Sequence, residues 1–123
     1  IPNETEAELL TGILINNESD MKETATYFLD LGISAVLITL GEQGTYCAYQ
    51  EQYKMIPACN VKAVDTTAAG DTFIGAFLSE LNKDLSNLES AIRLANQASS
   101  LTVQRKGAQV SIPTRKEVEA EYN

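Results

Sequence analysis

The hydrophobic residues of this chain recur at helical spacing in three long segments. Apolar positions three or four residues apart line one face of each segment, which predicts amphipathic helices over residues 17–31, 72–81 and 87–103. Shorter helices are predicted over residues 5–10 and 115–121. Gly75 lies inside the second long helix, where glycine costs about 1 kcal/mol relative to alanine. We therefore expect a close packing contact at Gly75.

The remaining apolar residues predict three β-strands. Residues 34–40 form a continuous β-branched and apolar run, which is typical of a strand buried on both faces. Residues 45–49 and 52–56 alternate in polarity on either side of a polar turn, which predicts a β-hairpin. We expect the tyrosines of this hairpin to be partly exposed, and Cys47 and Cys59 to be buried free thiols.

Composition narrows the class of protein. With 123 residues and 44% hydrophobic content, residues 1–123 suit one globular domain. The net charge of −8 argues against a nucleic-acid partner. No apolar run approaches the roughly 18 residues that a membrane span needs. Histidine is absent, which excludes histidine-based catalysis and histidine metal sites. These features predict a cytoplasmic protein that acts on small molecules.

The stretch from Val61 to Phe77 organises the rest of the chain. A short extended segment leads into small residues at 66–70, and an apolar helix begins near Gly70 or Asp71. Glycine at a helix start leaves the first backbone N–H groups free to bind an anion. Asp71 could simply cap this helix, as such residues commonly do. It could also accept the proton of an attacking hydroxyl in phosphoryl transfer. Because Asp65 is a second acid on the other side of the small-residue turn, helix capping and proton acceptance are equally well supported for Asp71.

Two other turns allow both a structural and a functional interpretation. Asn3 and Glu6 have the spacing of a helix capping box, and from spacing alone capping is the stronger interpretation. Gly41 and Gly44 bound the loop that follows the strand ending near Thr39, and two glycines in a turn usually serve the turn itself. The loop nevertheless lies beyond the carboxyl end of a strand, where ligands bind in open α/β sheets.

Three segments in order along the chain carry a specific signal: Asn3-Glu4-Thr5-Glu6, Asp65 to Phe77, and Arg105 to Pro113. Together they resemble the ribokinase-like (pfkB) family of carbohydrate kinases. Most of that family has glycine where this chain has Ala68, while ribokinases commonly have alanine. Ala68 therefore narrows the resemblance to the ribokinase branch of the family. The resemblance implies an α/β fold, the ribokinase-like three-layer α/β/α sandwich. This chain would be its C-terminal portion, without the N-terminal sugar-binding part and the lid.

The activity that the resemblance implies is ATP-dependent phosphorylation of a sugar hydroxymethyl group. D-ribose is the leading substrate, with ribose 5-phosphate as the product. Asp71 would be the catalytic base, and the backbone N–H groups of Ala68, Ala69 and Gly70 would form an anion hole. Asp65 and Asp71 would bind the sugar. The resemblance also implies that the full-length enzyme is a homodimer.

The resemblance implies three further ligands, which are ATP, Mg²⁺ and K⁺. The nucleotide would be bound by Asn3, Thr39, Gly41, Gly70 and Asn96, although Asn96 could instead be a surface polar residue. Glu6 would act on Mg²⁺ through water, since this ion usually keeps several of its waters. The K⁺ ligands, several of them backbone carbonyls, would come from Asp65, Thr67, Thr102, Arg105, Gly107 and Ser111.

Two alternatives stay open. Within the same family, the substrate could be fructose, a sugar phosphate or a nucleoside such as adenosine; Ala68 and the loop from Arg105 to Pro113 weigh against this. In a different class, the chain as given could be a non-catalytic nucleotide-binding fragment. Without the N-terminal part the sugar cannot be enclosed and water cannot be excluded. We therefore expect little or no kinase activity from these 123 residues alone.

Overall fold

A computed structural model describes residues 1–59, 69–104 and 115–122. The chain divides into two compact units, Ile1–Pro57 and Ala58–Asn123, and each is described by itself. The first unit contains the described β-strands and two α-helices, and the described residues of the second form three α-helices.

The first unit is built on a three-stranded antiparallel sheet. Its strands are β1 (Ala35–Thr39), β2 (Thr45–Tyr49) and β3 (Gln52–Ile56), in the spatial order β1-β2-β3. The loop between β2 and β3 has only two residues, Gln50 and Glu51, which both adopt positive φ angles (50° and 64°). Two such residues match the twist of an antiparallel hairpin, although Asn-Gly is the sequence that adopts this turn most easily.

Two helices belong to the first unit, α1 (Glu4–Thr11) and α2 (Glu18–Asp30). Asn17 caps α2, because its side-chain oxygen accepts the N–H of Asp20 at 2.9 Å. Apolar residues from both helices and the sheet form one core, whose largest members include Phe28, Val36, Ile38, Leu40 and Tyr46. Leu37, which points to the other side of β1, is also buried. The prediction that this strand is buried on both faces is therefore confirmed.

The second unit packs three helices together: α3 (Ala69–Glu80), α4 (Leu88–Val103) and α5 (Arg115–Tyr122). Phe73 and Phe77 of α3 are buried and stack with their ring centroids 6.2 Å apart. The facing side of α4 consists largely of small residues, which allow the two helices to approach closely, and its buried members include Ala91, Ala95 and Ala98. Leu101 and Ala98 of α4 also pack against Val118 of α5.

One asparagine, Asn87, makes two of the hydrogen bonds in the connection between α3 and α4. Asn87 precedes α4 but makes no side-chain cap. Its Oδ1 accepts the backbone N–H of Asn82 at 2.8 Å, and its Nδ2 donates to the carbonyl of Glu80 at 2.7 Å. The side chain thus links the end of one helix to the start of the next.

The helices and strands predicted from the pattern are all present, with ends that differ by a few residues. The largest difference is at α3, which starts at Ala69 rather than at residue 72 as hydrophobic spacing predicts, and close to the start near Gly70 that the small-residue turn predicts. The prediction of a close packing contact at Gly75 was wrong. Gly75 is exposed, and an added Cβ meets nothing within 4 Å among the described residues. Glycine is therefore not required there by close approach of another described element.

Two expectations about individual side chains also need correction. Tyr49 and Tyr53 are partly exposed as expected, but Tyr46 is only 1% exposed. Burial, followed by the nearby Glu18 and Tyr53, raises the pKa of Tyr46. Cys47 and Cys59 are both free thiols, but only Cys47 is buried, and Cys59 is half-buried. Cys59 lies beyond the end of β3.

Candidate functional site

The first candidate group lies at the start of α1. The side-chain oxygen of Asn3 accepts the N–H of Glu6 at 2.8 Å, and Glu6 Oε1 accepts the N–H of Asn3 at 2.9 Å. This reciprocal pair is a capping box, so the structural interpretation of these residues is confirmed. Both side chains are also exposed. The capping bonds use one carboxylate oxygen of Glu6, and they fix the position of the carboxylate beside the helix N-terminus.

Asn3 lies directly beside Thr39, although the two are 36 positions apart in the sequence. They form a parallel β-bridge, in which the N–H of Thr39 donates to the carbonyl of Pro2 at 3.0 Å. The bridge joins the start of α1 to the carboxyl end of β1. Two of the residues predicted to bind the nucleotide are thus brought together at the sheet edge where ligands commonly bind.

The loop after β1 is a tight turn that begins with Gly41. Gly41 has φ +60° and opens a short 3₁₀ helix, Gly41–Gln43, which the bond from Leu40 N–H to the Gly44 carbonyl closes at 2.8 Å. Most residues adopt this positive φ only with strain, so glycine is required for the turn. Gly41 is exposed, and its backbone remains accessible to a ligand.

The second candidate group lies at the start of α3. Ala69, Gly70 and Asp71 are the first three residues of this 12-residue helix, so its first backbone N–H groups have no partner within the helix. Asp71 is exposed, and a Cβ added at Gly70 would meet nothing within 4 Å among the described residues. Gly70 has no positive φ, so neither packing nor backbone angle in this part of the chain demands glycine. A glycine that the fold does not need is consistent with a ligand that approaches the backbone.

The C-terminal half of α4 holds the start of α3 through two hydroxyl groups. Ser99 Oγ donates to the carbonyl of Ala69 at 3.0 Å, and Thr102 Oγ1 donates to Thr72 Oγ1 at 3.0 Å. Sequence reasoning missed both contacts. The only available signal was the three-residue spacing of Ser99 and Thr102, which places them on one face of the helix.

Asn96 and Thr102, both predicted to bind ligands, lie on α4 and are buried. Asn96 is 6% exposed, so the alternative that it is a surface residue was wrong. Its carbonyl accepts Ser100 Oγ at 2.8 Å. Thr102 is completely buried and lies in the last turn of α4, where the backbone N–H of Gln104 donates to the carbonyls of Leu101 and Thr102.

Six residues of the predicted sites lie outside the residues that the structure describes: Asp65, Thr67, Ala68, Arg105, Gly107 and Ser111. Within residues 1–59, 69–104 and 115–122, no three His, Cys, Asp or Glu side chains gather to hold a metal. Across the same ranges, none of the helices combines the length and apolar character that crossing a bilayer requires.

Residues 1–115 match the pfkB family of carbohydrate kinases. The chain belongs to this family. It is 63% identical over 118 residues to the ribokinase of Staphylococcus aureus (strain COL), a match that covers 96% of this chain and 39% of the relative. The chain therefore spans about two fifths of the length of this relative.

Solved structures confirm the ribokinase-like α/β fold. Arabidopsis thaliana ribokinase complexed with ribose and ATP superposes with a TM-score of 0.88 at 37% identity, over 97% of this chain and 38% of that one. A double mutant of the Vibrio cholerae O395 fructokinase, in a form with fructose, ADP and potassium ion bound, superposes with a TM-score of 0.81 at 28% identity. That match covers 96% of this chain and 38% of the fructokinase.

Proposed function

We propose that this chain is the C-terminal part of an ATP-dependent kinase that converts D-ribose to ribose 5-phosphate. The observation that carries the proposal is the exposed Asp71 in the first turn of α3, beside the N–H groups of Ala69 and Gly70. The 63% identity to a bacterial ribokinase supports ribose as the substrate. The 28% identity to a fructokinase is much lower, so fructose is less well supported.

The reaction needs a base and a site for developing negative charge. Asp71 takes the proton from the ribose hydroxymethyl group as its oxygen attacks the γ-phosphorus, and the bond from that phosphorus to the ADP oxygen breaks. The N–H groups of Ala68, Ala69 and Gly70 donate to the phosphoryl oxygens and form the anion hole. The dipole of a 12-residue helix adds positive potential at the same point. Asp65 and Asp71 hold the sugar hydroxyl groups.

The resemblance to the pfkB family implies five residues for nucleotide binding. We assign ATP binding to Asn3, Thr39, Gly41, Gly70 and Asn96. The bridge between Asn3 and Thr39 supports this assignment for the first group, because it joins two of these residues at one strand end. Asn96 has the weakest support of the set, because only 6% of its surface is exposed.

The proposal includes two metal ions, Mg²⁺ and K⁺. Mg²⁺ usually keeps several waters and uses few carboxylates, which agrees with the single exposed Glu6 acting through water. K⁺ favours carbonyl oxygens, and Thr102 lies among the carbonyls that end α4. The other proposed K⁺ ligands are Asp65, Thr67, Arg105, Gly107 and Ser111. When bound, these cations neutralise charge on the phosphate groups; the protein residues themselves orient ATP and remove the proton.

We also propose a cytoplasmic homodimer for the full-length kinase, without nucleic-acid or membrane partners. The net charge of −8 supports the absence of nucleic-acid binding, since a duplex or single strand requires basic residues. Sedimentation of the full-length protein would give a mass twice that of the monomer if the homodimer is correct.

Asp71→Asn in the full-length kinase tests the proposed function. Because a positioned base contributes roughly 10²- to 10⁴-fold, kcat for ribose-dependent ADP release should fall by about that factor, with the KM for ATP nearly unchanged. Asp20→Asn is a matched control, since Asp20 is also the third residue of a helix. It should lower stability slightly and leave kcat as in the unchanged enzyme.

Either of two results would overturn the assignment. If Asp71→Asn keeps near-normal kcat, Asp71 is not the base. If the unchanged full-length protein hydrolyses ATP without any dependence on ribose, fructose or a nucleoside, the kinase function itself is wrong.

A further inference from the structure

The start of α3 is tied to α4 at two points that bracket Asp71. Ser99 Oγ donates to the carbonyl of Ala69, two residues before Asp71, at 3.0 Å. Thr102 Oγ1 donates to the hydroxyl of Thr72, the residue directly after Asp71, also at 3.0 Å. The contacts therefore lie on both sides of the exposed carboxylate.

The environment of the threonine pair makes its hydrogen bond hard to replace. Thr102 is 0% exposed and Thr72 is 4% exposed, so neither hydroxyl can exchange its partner freely for bulk water. A buried hydroxyl that loses its partner keeps the full cost of leaving water. The first turn of α3 can therefore rotate or fray only if this bond breaks.

The start of a helix needs such support more than its middle does. The first N–H groups have no carbonyl partner within the helix, so the first turn is held by fewer bonds than later turns. In α3 the same N–H groups must remain unpaired if they are to receive a phosphoryl group. Bonds to the carbonyl of Ala69 and the side chain of Thr72 fix the turn without using those N–H groups.

We propose that Ser99 and Thr102 are positioning residues for Asp71, which act through Ala69 and Thr72 to hold the first turn of α3 in its reactive geometry. The inference rests on the proposed kinase function for its effect on turnover. Its structural part, that these hydroxyls order the first turn, can be measured without turnover.

Thr102→Val in the full-length kinase removes the donor and keeps the side-chain shape. Because a displacement near 1 Å can cost about 100-fold in rate, a partial loosening should lower kcat about tenfold and leave the KM for ATP within about twofold. The K⁺ contact proposed for Thr102 uses its backbone carbonyl, which this substitution retains. Thr102→Ser keeps the donor and should restore most of kcat.

Thr24→Val is the matched control for the same substitution. Thr24 is also 0% exposed, but its hydroxyl donates to the carbonyl of Asp20 within its own helix, at 2.8 Å. A second pair, Ser99→Ala with Ser100→Ala as control, makes the same comparison if Thr102→Val fails to fold. Ser100 is buried and its hydroxyl also donates within its own helix, to the carbonyl of Asn96.

Hydrogen exchange gives the readout that does not depend on catalysis. The amides of Phe73 and Ile74 pair with the carbonyls of residues 69 and 70 in an α-helix, so their exchange reports on the first turn. We expect about tenfold faster exchange at these two amides in Thr102→Val, and no local change there in Thr24→Val.

The outcomes separate failure of this inference from failure of the proposed function. Equal exchange at Phe73 and Ile74 in Thr102→Val and in the unchanged protein would overturn the inference. Recovery of full kcat by Thr102→Val at saturating K⁺ would also overturn it. That result would show that the hydroxyl of Thr102 serves K⁺ binding rather than the position of Asp71. If the unchanged kinase shows no sugar-dependent turnover but the exchange difference is present, the kinase function fails while the ordering role of Thr102 stands.

Discussion

Gly70 and Gly75 lie on the same helix, and the same substitution at each can test the proposed anion hole. An added Cβ meets nothing within 4 Å among the described residues at either position, and neither glycine has a positive φ. Gly75 is in the middle of α3, while Gly70 is its second residue. Only Gly70 belongs to the proposed anion hole, so the same substitution should separate stability from activity.

Gly75→Ala should raise the free energy of unfolding by about 0.5–1 kcal/mol. Alanine is favoured over glycine by this amount inside a helix, and part of the gain comes from a less flexible unfolded chain. Gly70→Ala should give a smaller gain, because the first turn contains fewer helical hydrogen bonds. The midpoint of urea unfolding for the full-length protein measures both changes.

Only one of the two variants should lose activity. In Gly70→Ala, a methyl group stands beside the N–H groups that would receive the phosphoryl group. Loss of one such donor typically costs about 10²- to 10³-fold in kcat, and partial obstruction should cost at least about tenfold. Gly75→Ala should leave kcat and KM unchanged, as measured by ribose-dependent ADP release.

Two results would refute this reasoning. Unchanged kcat in Gly70→Ala would show that the reaction does not use a bare backbone at this position. A loss of stability in Gly75→Ala would show that a segment outside the described residues packs on this face of α3.

Three further predictions concern stability. Replacing Gln50-Glu51 by Asn-Gly should raise the free energy of unfolding by up to about 1 kcal/mol in urea titrations, because both residues have positive φ. Asn87→Ala should lower it by about 1 kcal/mol in the same assay, since one exposed and one partly buried hydrogen bond are lost and water can replace part of both. The hydrogen bond from Ser86 lowers the pKa of Asp84 from its ordinary 3.8. The ionised Asp84 carboxylate therefore stabilises the folded state above that pH, and this stabilisation is lost as the pH falls through the lowered pKa. Asp84→Asn should therefore reduce the difference in unfolding midpoint between pH 6 and pH 3.

The sequence predicted secondary structure well where one periodicity dominates. The apolar run that became β1 and the alternating segments that became β2 and β3 have little ambiguity, and their ends shifted by a residue at most. Tyr46 shows the limit of this approach. Alternation marks which side chains share a face of a sheet, but it does not tell whether both faces are covered, and Tyr46 is buried.

The sequence names candidate site residues but not their arrangement. The resemblance to the pfkB family named Asn3, Thr39 and Asp71, and their roles stay predictions, whereas the bridge between Asn3 and Thr39 depends on how the chain start pairs with β1. The contacts of Ser99 and Thr102 depend on how two helices pack, and hydroxyl groups on an alanine-rich helix carry no signal of their partner. Long-range pairing of this kind cannot be derived from local pattern.

The most direct test of the central claim is to identify the product formed by the full-length kinase. Phosphorus NMR would follow equal concentrations of ribose, fructose and adenosine incubated together with ATP, Mg²⁺ and K⁺. The account predicts that ribose 5-phosphate forms first and in equal amount with ADP, and that Asp71→Asn slows its formation by about 10²- to 10⁴-fold. Preferential formation of a fructose or adenosine phosphate, or ADP without a phosphorylated sugar, would contradict the account.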